Sequence, residues 1–189
     1  MFKFKAKDFW AIPNILSYFR IVLVFVFLFI YQQDMQQKSL YLGMILIASG
    51  ISDALDGYIA RKYNMITELG KCLDPIADKL TQFVLLICLL SKYPMAKATL
   101  VIFVIKEILV TIMGYKVICI QRKNEGAKWY GKLSTIIFYV VTVILVLFAD
   151  LNVRYANILL GISSMAILGA FIGYTSQYAM ILLKKRNNK

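Results

Sequence analysis

The sequence predicts an all-α integral membrane protein with six membrane-spanning helices. Hydrophobic residues make up 60% of the 189 positions and the mean hydropathy is +0.70, which excludes a water-soluble globule with an ordinary polar surface. Six apolar stretches recur along the chain, each close to the ~20 residues that a helix needs to cross the hydrocarbon layer once its flanks are included. A single span satisfies its own backbone hydrogen bonds in lipid only as a helix.

The first apolar stretch is preceded by residues 1–13, in which Phe and Trp alternate with Lys. This pattern predicts a short amphipathic interfacial helix that lies on the lipid headgroups, with Trp10 at the interface. Basic residues before an apolar run are also typical of a signal peptide, but no small-residue cleavage site follows Tyr31. We therefore interpret the first stretch as a retained helix.

The remaining stretches follow without a linker, a low-complexity run or an internal repeat. Residues 1–189 are therefore predicted to form a single membrane domain. The three cysteines show no paired spacing, so they are most simply read as small apolar residues. The six predicted spans are 21–33, 40–60, 74–91, 95–121, 133–149 and 155–183.

Positively charged side chains are divided unequally between alternate loops. If the N-terminus is inside, the opposite loops contain only Lys38, Lys92, Lys97 and Arg154, so the positive-inside rule predicts a cell-membrane protein with both termini in the cytoplasm. The net charge is +12, and the basic residues that produce it lie along the edges of the loops. This distribution indicates contact with anionic membrane lipids and no nucleic-acid partner. The cytoplasmic set is Lys3, Lys5, Lys7, Arg61, Lys62, Arg122, Lys123, Lys128, Lys132, Lys184, Lys185, Arg186 and Lys189.

Four aspartates stand out because an ionised side chain is unfavourable inside a membrane and usually marks a functional site. Asp53 and Asp56 fall on one sector of the second predicted span, and Asp74 and Asp78 fall on one stripe of the third. If these two helices pack against each other across a short turn around Asn64, the four carboxylates converge on one pocket near the cytoplasmic surface.

Small residues accompany the aspartates on the same helix faces. Gly57, Ala60 and Gly70 leave that surface without bulk, so a ligand or another backbone can approach it closely. Arg61 follows at the cytoplasmic end of the same stripe, where its guanidinium is placed to pair with a phosphate.

Carboxylates that share a pocket repel one another unless a cation neutralises them. The chain has no His and no paired cysteines, so an all-oxygen site favours Mg²⁺, Mn²⁺ or Ca²⁺ over zinc. Two cations bridged by aspartates are a recurring means of binding a pyrophosphate and of stabilising a displacement at phosphorus.

Three non-enzymatic alternatives stay open at this point. The first is simple pairing of aspartates with arginine inside a bundle, although a single motif Arg cannot neutralise four carboxylates. The second is a divalent-cation transporter, although transporters place such ligands at the bilayer midplane between repeated halves, which this sequence lacks. The third is a scaffold, which leaves the small residues Gly57, Ala60 and Gly70 beside the carboxylates unexplained.

The spacing D-x2-D-G-x2-A-R-x8-G-x3-D-x3-D, which runs from Asp53 to Asp78, resembles the signature of the CDP-alcohol phosphatidyltransferases, with all eight fixed positions occupied. The resemblance implies transfer of a phosphatidyl group from CDP-diacylglycerol to an alcohol, with release of CMP. It also implies two bound Mg²⁺ or Mn²⁺ ions and a homodimer, for which Gly161, Gly169 and Gly173 are a candidate packing face.

The resemblance further implies a role for each motif residue. Asp53, Asp56 and Asp74 correspond to metal ligands, and Asp78 corresponds to a ligand that is also the catalytic general base. Because an aspartate is a weak base for an alcohol, deprotonation must accompany attack or be assisted by a metal. The implied CDP-binding residues are Asn14, Asp56, Gly57, Ala60, Arg61 and Gly70.

The segment Ile-Pro-Asn-x-x-Ser-x-x-Arg, from Ile12 to Arg20, resembles the start of bacterial phosphatidylglycerophosphate synthases within this family, which implies glycerol 3-phosphate as the acceptor. Phosphatidylglycerol or an inositol phosphate stays open as an alternative. Glu107 is interpreted as a partner of Lys106 or of Arg20.

Basic residues cluster at and just before the cytoplasmic start of the fifth predicted span. Such a cluster suits an anionic acceptor, although basic residues are also typical of cytoplasmic loop edges. The candidate acceptor-binding residues are Lys106, Arg122, Lys128, Lys132 and Thr135.

Overall fold

The structure is a computed structural model that describes residues 9–121 and 128–187, with side chains for residues 9–117 and 128–183. Within these residues the chain forms six α-helices and no strand, so the predicted all-α membrane fold is confirmed. Residues 1–8 of the predicted interfacial helix lie outside the described part. The helices are α1 (Ile12–Gln32), α2 (Lys38–Lys62), α3 (Glu68–Leu90), α4 (Pro94–Gln121), α5 (Trp129–Leu147) and α6 (Val153–Asn187).

Five of the six described helices are long and apolar enough to cross a membrane, and α3 is the exception. The first half of α3 contains two aspartates of the motif and three further charged residues, which lower its mean hydropathy. The sixth span therefore stays a prediction. The charged residues are Glu68, Lys71, Asp74, Asp78 and Lys79.

All six helices begin before the apolar stretches that predicted them, and two of them, α1 and α3, begin earlier by six residues or more. α1 begins at Ile12 rather than at residue 21, and Pro13 stands in its first turn, where a missing N–H is tolerated. Residues 12 and 13, assigned to the interfacial segment from sequence, therefore belong to α1. α3 begins at Glu68 rather than at residue 74. Hydropathy marks only the lipid-soluble part of a helix, so it missed these polar first turns.

The first compact unit contains α1, α2, α3 as far as Cys88, and residues 143–150. α1 and α2 pack together, and the Ser52 hydroxyl donates a hydrogen bond to the Leu16 carbonyl oxygen at 3.2 Å. Gly43 of α2 gives room to the Leu147 side chain, which occupies the place of a β-carbon. The buried apolar side chains of this unit include Val24, Phe27, Leu46, Ala77, Val84 and Leu85.

A short turn joins α2 to α3 and brings the two halves of the aspartate motif together. Asn64 adopts the left-handed conformation with a φ of 52°, and the Met65 N–H donates to the Ala60 carbonyl oxygen at 3.0 Å, which is the Schellman arrangement of a helix end. Thr67 then caps α3, because its hydroxyl accepts a hydrogen bond from the Gly70 N–H at 2.9 Å.

The second compact unit contains residues 89–142 and 151–187 of the described part, and thus α4, most of α5, and α6. α4 packs on α6, where the Thr99 and Ser164 hydroxyls lie 2.9 Å apart in the helix interface. The Asn157 side-chain oxygen accepts a hydrogen bond from the Met95 N–H at 3.2 Å and holds the first turn of α4.

Aromatic packing joins α5 to α6 in the second unit. Tyr130 meets Tyr174 edge to face, with ring centroids 4.8 Å apart. A β-carbon on Gly173 would lie 2.9 Å from the Tyr130 ring, so Gly173 has a packing role within the chain. Of the three glycines predicted for a dimer face, only Gly161 and Gly169 are open, since a β-carbon there would meet nothing within 4 Å.

Candidate active site

The four aspartates of the motif converge on one side chain, the guanidinium of Arg20 in α1. Its Nη1 atom lies 2.5 Å from Asp53 and 3.2 Å from Asp78. Its Nη2 atom lies 2.5 Å from Asp56 and 3.4 Å from Asp74. The structure therefore brings all four predicted metal ligands, two from α2 and two from α3, together around one side chain of α1.

Burial divides these carboxylates into a floor and an accessible rim. Arg20 is 2% exposed and the Asp56 side chain is 4% exposed, so the two form the floor of the cluster. Asp53, Asp74 and Asp78 keep 53%, 45% and 40% of their side-chain surface exposed. A metal ion can therefore reach three of the four carboxylates from outside.

Arg20 belongs to a stripe of buried polar residues on α1. Asn14, Ser17 and Arg20 follow one another at intervals of three residues, and none is more than 2% exposed. The Ser17 hydroxyl donates to Asp74, and the Asn14 amide donates to the Thr67 hydroxyl at 2.9 Å. This stripe holds α1 against the segment from Thr67, just before α3, to Asp78.

Sequence reasoning did not assign Ser17, Arg20 or Thr67 to the site, and it offered Arg20 as a partner for Glu107. The structure corrects this, because Arg20 uses both Nη atoms for the four aspartates. A signal was present in the sequence, since Arg20 directly precedes the first predicted span and four aspartates in a membrane protein require a cation.

Gly70 is required for the contact between α1 and α3. A β-carbon at this position would lie 2.6 Å from the Asn14 side-chain oxygen and 3.0 Å from the Thr67 hydroxyl. The predicted CDP-binding roles of Asn14 and Gly70 stay predictions, and the structure adds a packing reason for both residues.

Gly70→Ala is expected to lower the free energy of unfolding by about 1–3 kcal/mol, because the added methyl group overpacks the Asn14 and Thr67 contacts. Thermal unfolding in detergent measures the loss. Gly57→Ala is the matched control, since a β-carbon there would lie 3.5 Å from the Arg61 guanidinium, an ordinary contact. Equal losses in the two helical variants would contradict the steric account.

Arg61 lies away from the floor of the cluster and is exposed, with its guanidinium placed over Gly57 on the same helix. Gly57 and Ala60 are only partly buried, and neither adds a bulky side chain to the surface beside Arg61. This surface fits the predicted pairing of Arg61 with a phosphate, which remains a prediction.

The charges of the cluster match a divalent-cation site. Four carboxylates and one guanidinium leave a formal charge of −3, and hard cations such as Mg²⁺ prefer carboxylate oxygen. By charge and donor type the carboxylates therefore fit such an ion. Among the described residues, however, no group of three or more acidic, His or Cys side chains is arranged to hold a metal ion, and the four carboxylates contact Arg20.

Four of the five predicted acceptor residues, Lys106, Lys128, Lys132 and Thr135, lie in the second unit, whereas the aspartates lie in the first. On α4, Glu107 forms an ion pair with Lys106, one of the two partners predicted for it. The Lys106 ammonium also lies 5.9 Å from the centre of the Phe103 ring. Arg122 lies outside the described residues.

Three of the predicted acceptor residues lie in the first turns of α5 or directly before it, namely Lys128, Lys132 and Thr135. The Lys128 N–H donates to the Tyr174 hydroxyl at 3.2 Å, and the Thr135 hydroxyl donates to the Gly131 carbonyl oxygen at 3.1 Å. Lys132 is exposed. Its ammonium is therefore available to an anion, and the acceptor-binding role of the set stays a prediction.

The chain matches the family model described as CDP-alcohol phosphatidyltransferase over residues 10–173, a range that contains every aspartate of the cluster, Arg20 and the start of α5. The chain belongs to the CDP-alcohol phosphatidyltransferase family. The predicted resemblance is thus confirmed. Members of this family generally depend on divalent metal ions.

The chain is also similar to several proteins named CDP-diacylglycerol--glycerol-3-phosphate 3-phosphatidyltransferase. The protein from Rickettsia bellii is 35% identical over 53% of this chain, and the chain spans 55% of its length. The one from Blochmanniella floridana is 30% identical over 70% of this chain and 71% of its own. The one from Escherichia coli K12 is 26% identical over 79% of this chain and 84% of its own.

Proposed function

We propose that residues 1–189 act as one catalytic domain that transfers a phosphatidyl group from CDP-diacylglycerol to glycerol 3-phosphate, with phosphatidylglycerophosphate and CMP as products. The observation that carries this proposal is the complete eight-position motif, whose four carboxylates meet at one partly open cluster. The names of the Rickettsia, Blochmanniella and Escherichia relatives supply the donor and the acceptor.

The reaction exchanges one phosphorus–oxygen bond for another. The acceptor hydroxyl oxygen bonds to the phosphorus that carries diacylglycerol, the pyrophosphate bond to that phosphorus breaks, and CMP leaves with the bridging oxygen. Asp78 takes the hydroxyl proton as attack proceeds, since a carboxylate is too weak a base to remove it beforehand. Its 40% exposure on the rim leaves it reachable by an acceptor.

Asp53, Asp56, Asp74 and Asp78 would hold two Mg²⁺ or Mn²⁺ ions. When bound, such ions neutralise the carboxylates and stabilise the charge that develops on the entering and leaving oxygens. Arg61 binds the donor pyrophosphate through its exposed guanidinium. Gly57 and Ala60 admit the nucleotide beside it, and Asn14 and Gly70 hold the adjoining turn in place.

Lys132 binds the phosphate of the acceptor, with Lys128, Thr135, Lys106 and Arg122 as further members of the acceptor site. Lys132 is exposed at the start of α5, as expected of a side chain that meets a soluble anion. Holding the phosphate orients the free hydroxyl of glycerol 3-phosphate and lowers the entropy lost on reaching the transition state.

The test is CMP release by purified protein in detergent with CDP-diacylglycerol and Mg²⁺ or Mn²⁺. Parallel reactions contain glycerol 3-phosphate, phosphatidylglycerol, an inositol phosphate or no acceptor. Release that depends on glycerol 3-phosphate is the expected result. Release with another acceptor would overturn the acceptor assignment alone, and no release with any acceptor or metal would overturn the enzymatic proposal.

We also propose that both termini face the cytoplasm of the cell membrane, as the distribution of basic residues favours. Arg61 and Lys62 belong to the predicted cytoplasmic set and end α2, the helix that carries Asp53 and Asp56, so the active site would face the same side. Labelling of single cysteines in intact cells by an impermeant maleimide tests this orientation, and labelling of a terminal cysteine from outside contradicts it.

We propose a homodimer that packs through α6. Gly161 and Gly169 have no neighbour within 4 Å at their β-carbon positions, and close backbone approach between membrane helices favours such small residues. Native mass spectrometry in detergent measures the oligomeric state directly. A monomer at every protein concentration would contradict the proposal.

A further inference from the structure

Arg20 links the two halves of the aspartate motif in a cross-wise pattern. Its Nη1 atom bridges Asp53 of α2 and Asp78 of α3. Its Nη2 atom bridges Asp56 of α2 and Asp74 of α3. Each terminal nitrogen therefore holds one carboxylate from each helix, so a single side chain of α1 gathers the whole cluster.

The Arg20 guanidinium forms its ion pairs with the four aspartates through both of its Nη atoms. The side chain is 2% exposed, and its Nε atom is buried with no hydrogen-bond partner among the described residues, so its hydrogen bonds run through the two Nη atoms. An arginine in a protein does not give up its proton, and a buried charge requires compensation from charged or hydrogen-bonding partners. Four carboxylates supply that compensation.

The position of Arg20 also sets it apart from a substrate-binding arginine. Asp53, Asp74 and Asp78 expose 40% or more of their side-chain surface, whereas Arg20 lies beneath them with almost none. Arg61 is the exposed guanidinium of this region. A ligand that enters from outside therefore meets the carboxylates before it meets Arg20.

We propose that Arg20 is the resident counter-ion of the aspartate cluster, a positioning residue that gathers the four carboxylates before divalent metal binds and then competes with the metal for the same oxygens. The inference rests on the proposed function in that it takes the cluster to be the metal site. Arg20 thereby keeps the carboxylates of α2 and α3 next to each other when the site holds no metal. Its own positive charge also weakens metal binding.

The size of the competition follows from charge and distance. A unit charge and a divalent ion a few Å apart repel each other strongly even at an effective dielectric constant of ~20. Part of this repulsion is relieved when the guanidinium shifts, so we expect Arg20→Met to bind Mn²⁺ at least about tenfold more tightly than the unaltered protein.

The experiment measures Mn²⁺ binding and thermal unfolding on the same detergent-purified proteins. Electron paramagnetic resonance of free Mn²⁺ gives the dissociation constant, and unfolding is followed in chelator and in saturating Mn²⁺. In Arg20→Met we expect tighter Mn²⁺ binding, a lower Tm in chelator, and a larger gain of Tm on adding Mn²⁺. Arg154→Met, which removes an exposed guanidinium at the start of α6, is the control and should change none of these values.

Two further variants separate charge from geometry. Arg20→Lys keeps the charge, so its Mn²⁺ affinity should stay within about threefold of the unaltered protein. One ammonium cannot replace the fork that reaches four carboxylates, so its Tm in chelator should still fall. Arg20→Met combined with Asp56→Asn removes one repelling carboxylate with the cation, so it should unfold in chelator at a higher temperature than Arg20→Met alone.

The outcomes are distinguishable from failure of the proposed function. If a folded Arg20→Met binds Mn²⁺ as weakly as the unaltered protein or more weakly, the counter-ion role is overturned while the metal site stands. If Arg20→Met does not fold, the double variant Arg20→Met with Asp56→Asn decides. The inference is overturned if adding Asp56→Asn does not restore folding. If the unaltered protein binds no Mn²⁺, the metal part of the proposed function fails together with the competition.

Discussion

Asp78→Asn reduces turnover by roughly 10²- to 10⁴-fold, the usual contribution of a general base, while the protein stays folded. Asparagine has the shape of aspartate but cannot accept the proton of the acceptor hydroxyl. Asp78 is only partly buried and is one of four carboxylates around Arg20, so loss of its charge leaves Arg20 with three acidic partners.

The measurement is the rate of CMP release at saturating donor, acceptor and metal, together with thermal unfolding in detergent. Asp34→Asn makes the same chemical change in the exposed segment between α1 and α2 and should leave the rate unchanged. A rate within a few-fold of the unaltered protein in Asp78→Asn would remove Asp78 from the role of base. A large loss accompanied by unfolding would assign Asp78 to the fold.

Lys132→Ala raises the KM for glycerol 3-phosphate by about 10- to 100-fold, because a hydrogen bond to a charged group contributes ~1.5–3 kcal/mol and the acceptor phosphate loses one such partner. We expect kcat to change much less, because Lys132 holds a part of the acceptor that does not react. The KM for CDP-diacylglycerol should also stay unchanged, since the donor is bound through the aspartate motif.

Initial rates over a range of glycerol 3-phosphate concentrations provide the test. Lys97→Ala is the matched control, since Lys97 is also exposed on a membrane helix and is predicted to lie on the opposite side of the bilayer. If Lys132→Ala leaves both kinetic constants unchanged, Lys132 is a headgroup-contacting residue of the loop edge. If it lowers kcat at saturating acceptor with no change in KM, it acts on the reacting centre.

The aspartate motif shows how far local reasoning reaches. Spacing alone put Asp53 and Asp56 on one face of a helix and Asp74 and Asp78 on one face of the next, because helical periodicity is a local property. The structure joins these helices through a Schellman turn at Asn64, the residue around which the turn was predicted. The motif lies within the matched range of the family model, so the family prediction is confirmed as well.

The helix starts show where the same reasoning fell short. Hydropathy located the apolar part of α1 but not its first turns, which contain Asn14, Ser17 and Arg20. A polar residue lowers the mean hydropathy of a window whether it faces water or a buried partner. Asn14, Ser17 and Arg20, which contact α2 or α3, therefore fell between the predicted interfacial segment, 1–13, and the first predicted span, 21–33.

The sequence by itself determined the six helices, the membrane environment, the family and the four aspartates, since each of these depends on composition or on residues close together in the chain. Only the tertiary structure decided that Arg20, 33 to 58 residues away from those aspartates, is the cation they share. It also decided that Gly70 is small because Asn14 needs its space. Such pairings between distant segments are set by helix packing, in which any buried charge takes the nearest partner of opposite sign, and no local pattern encodes which partner that will be.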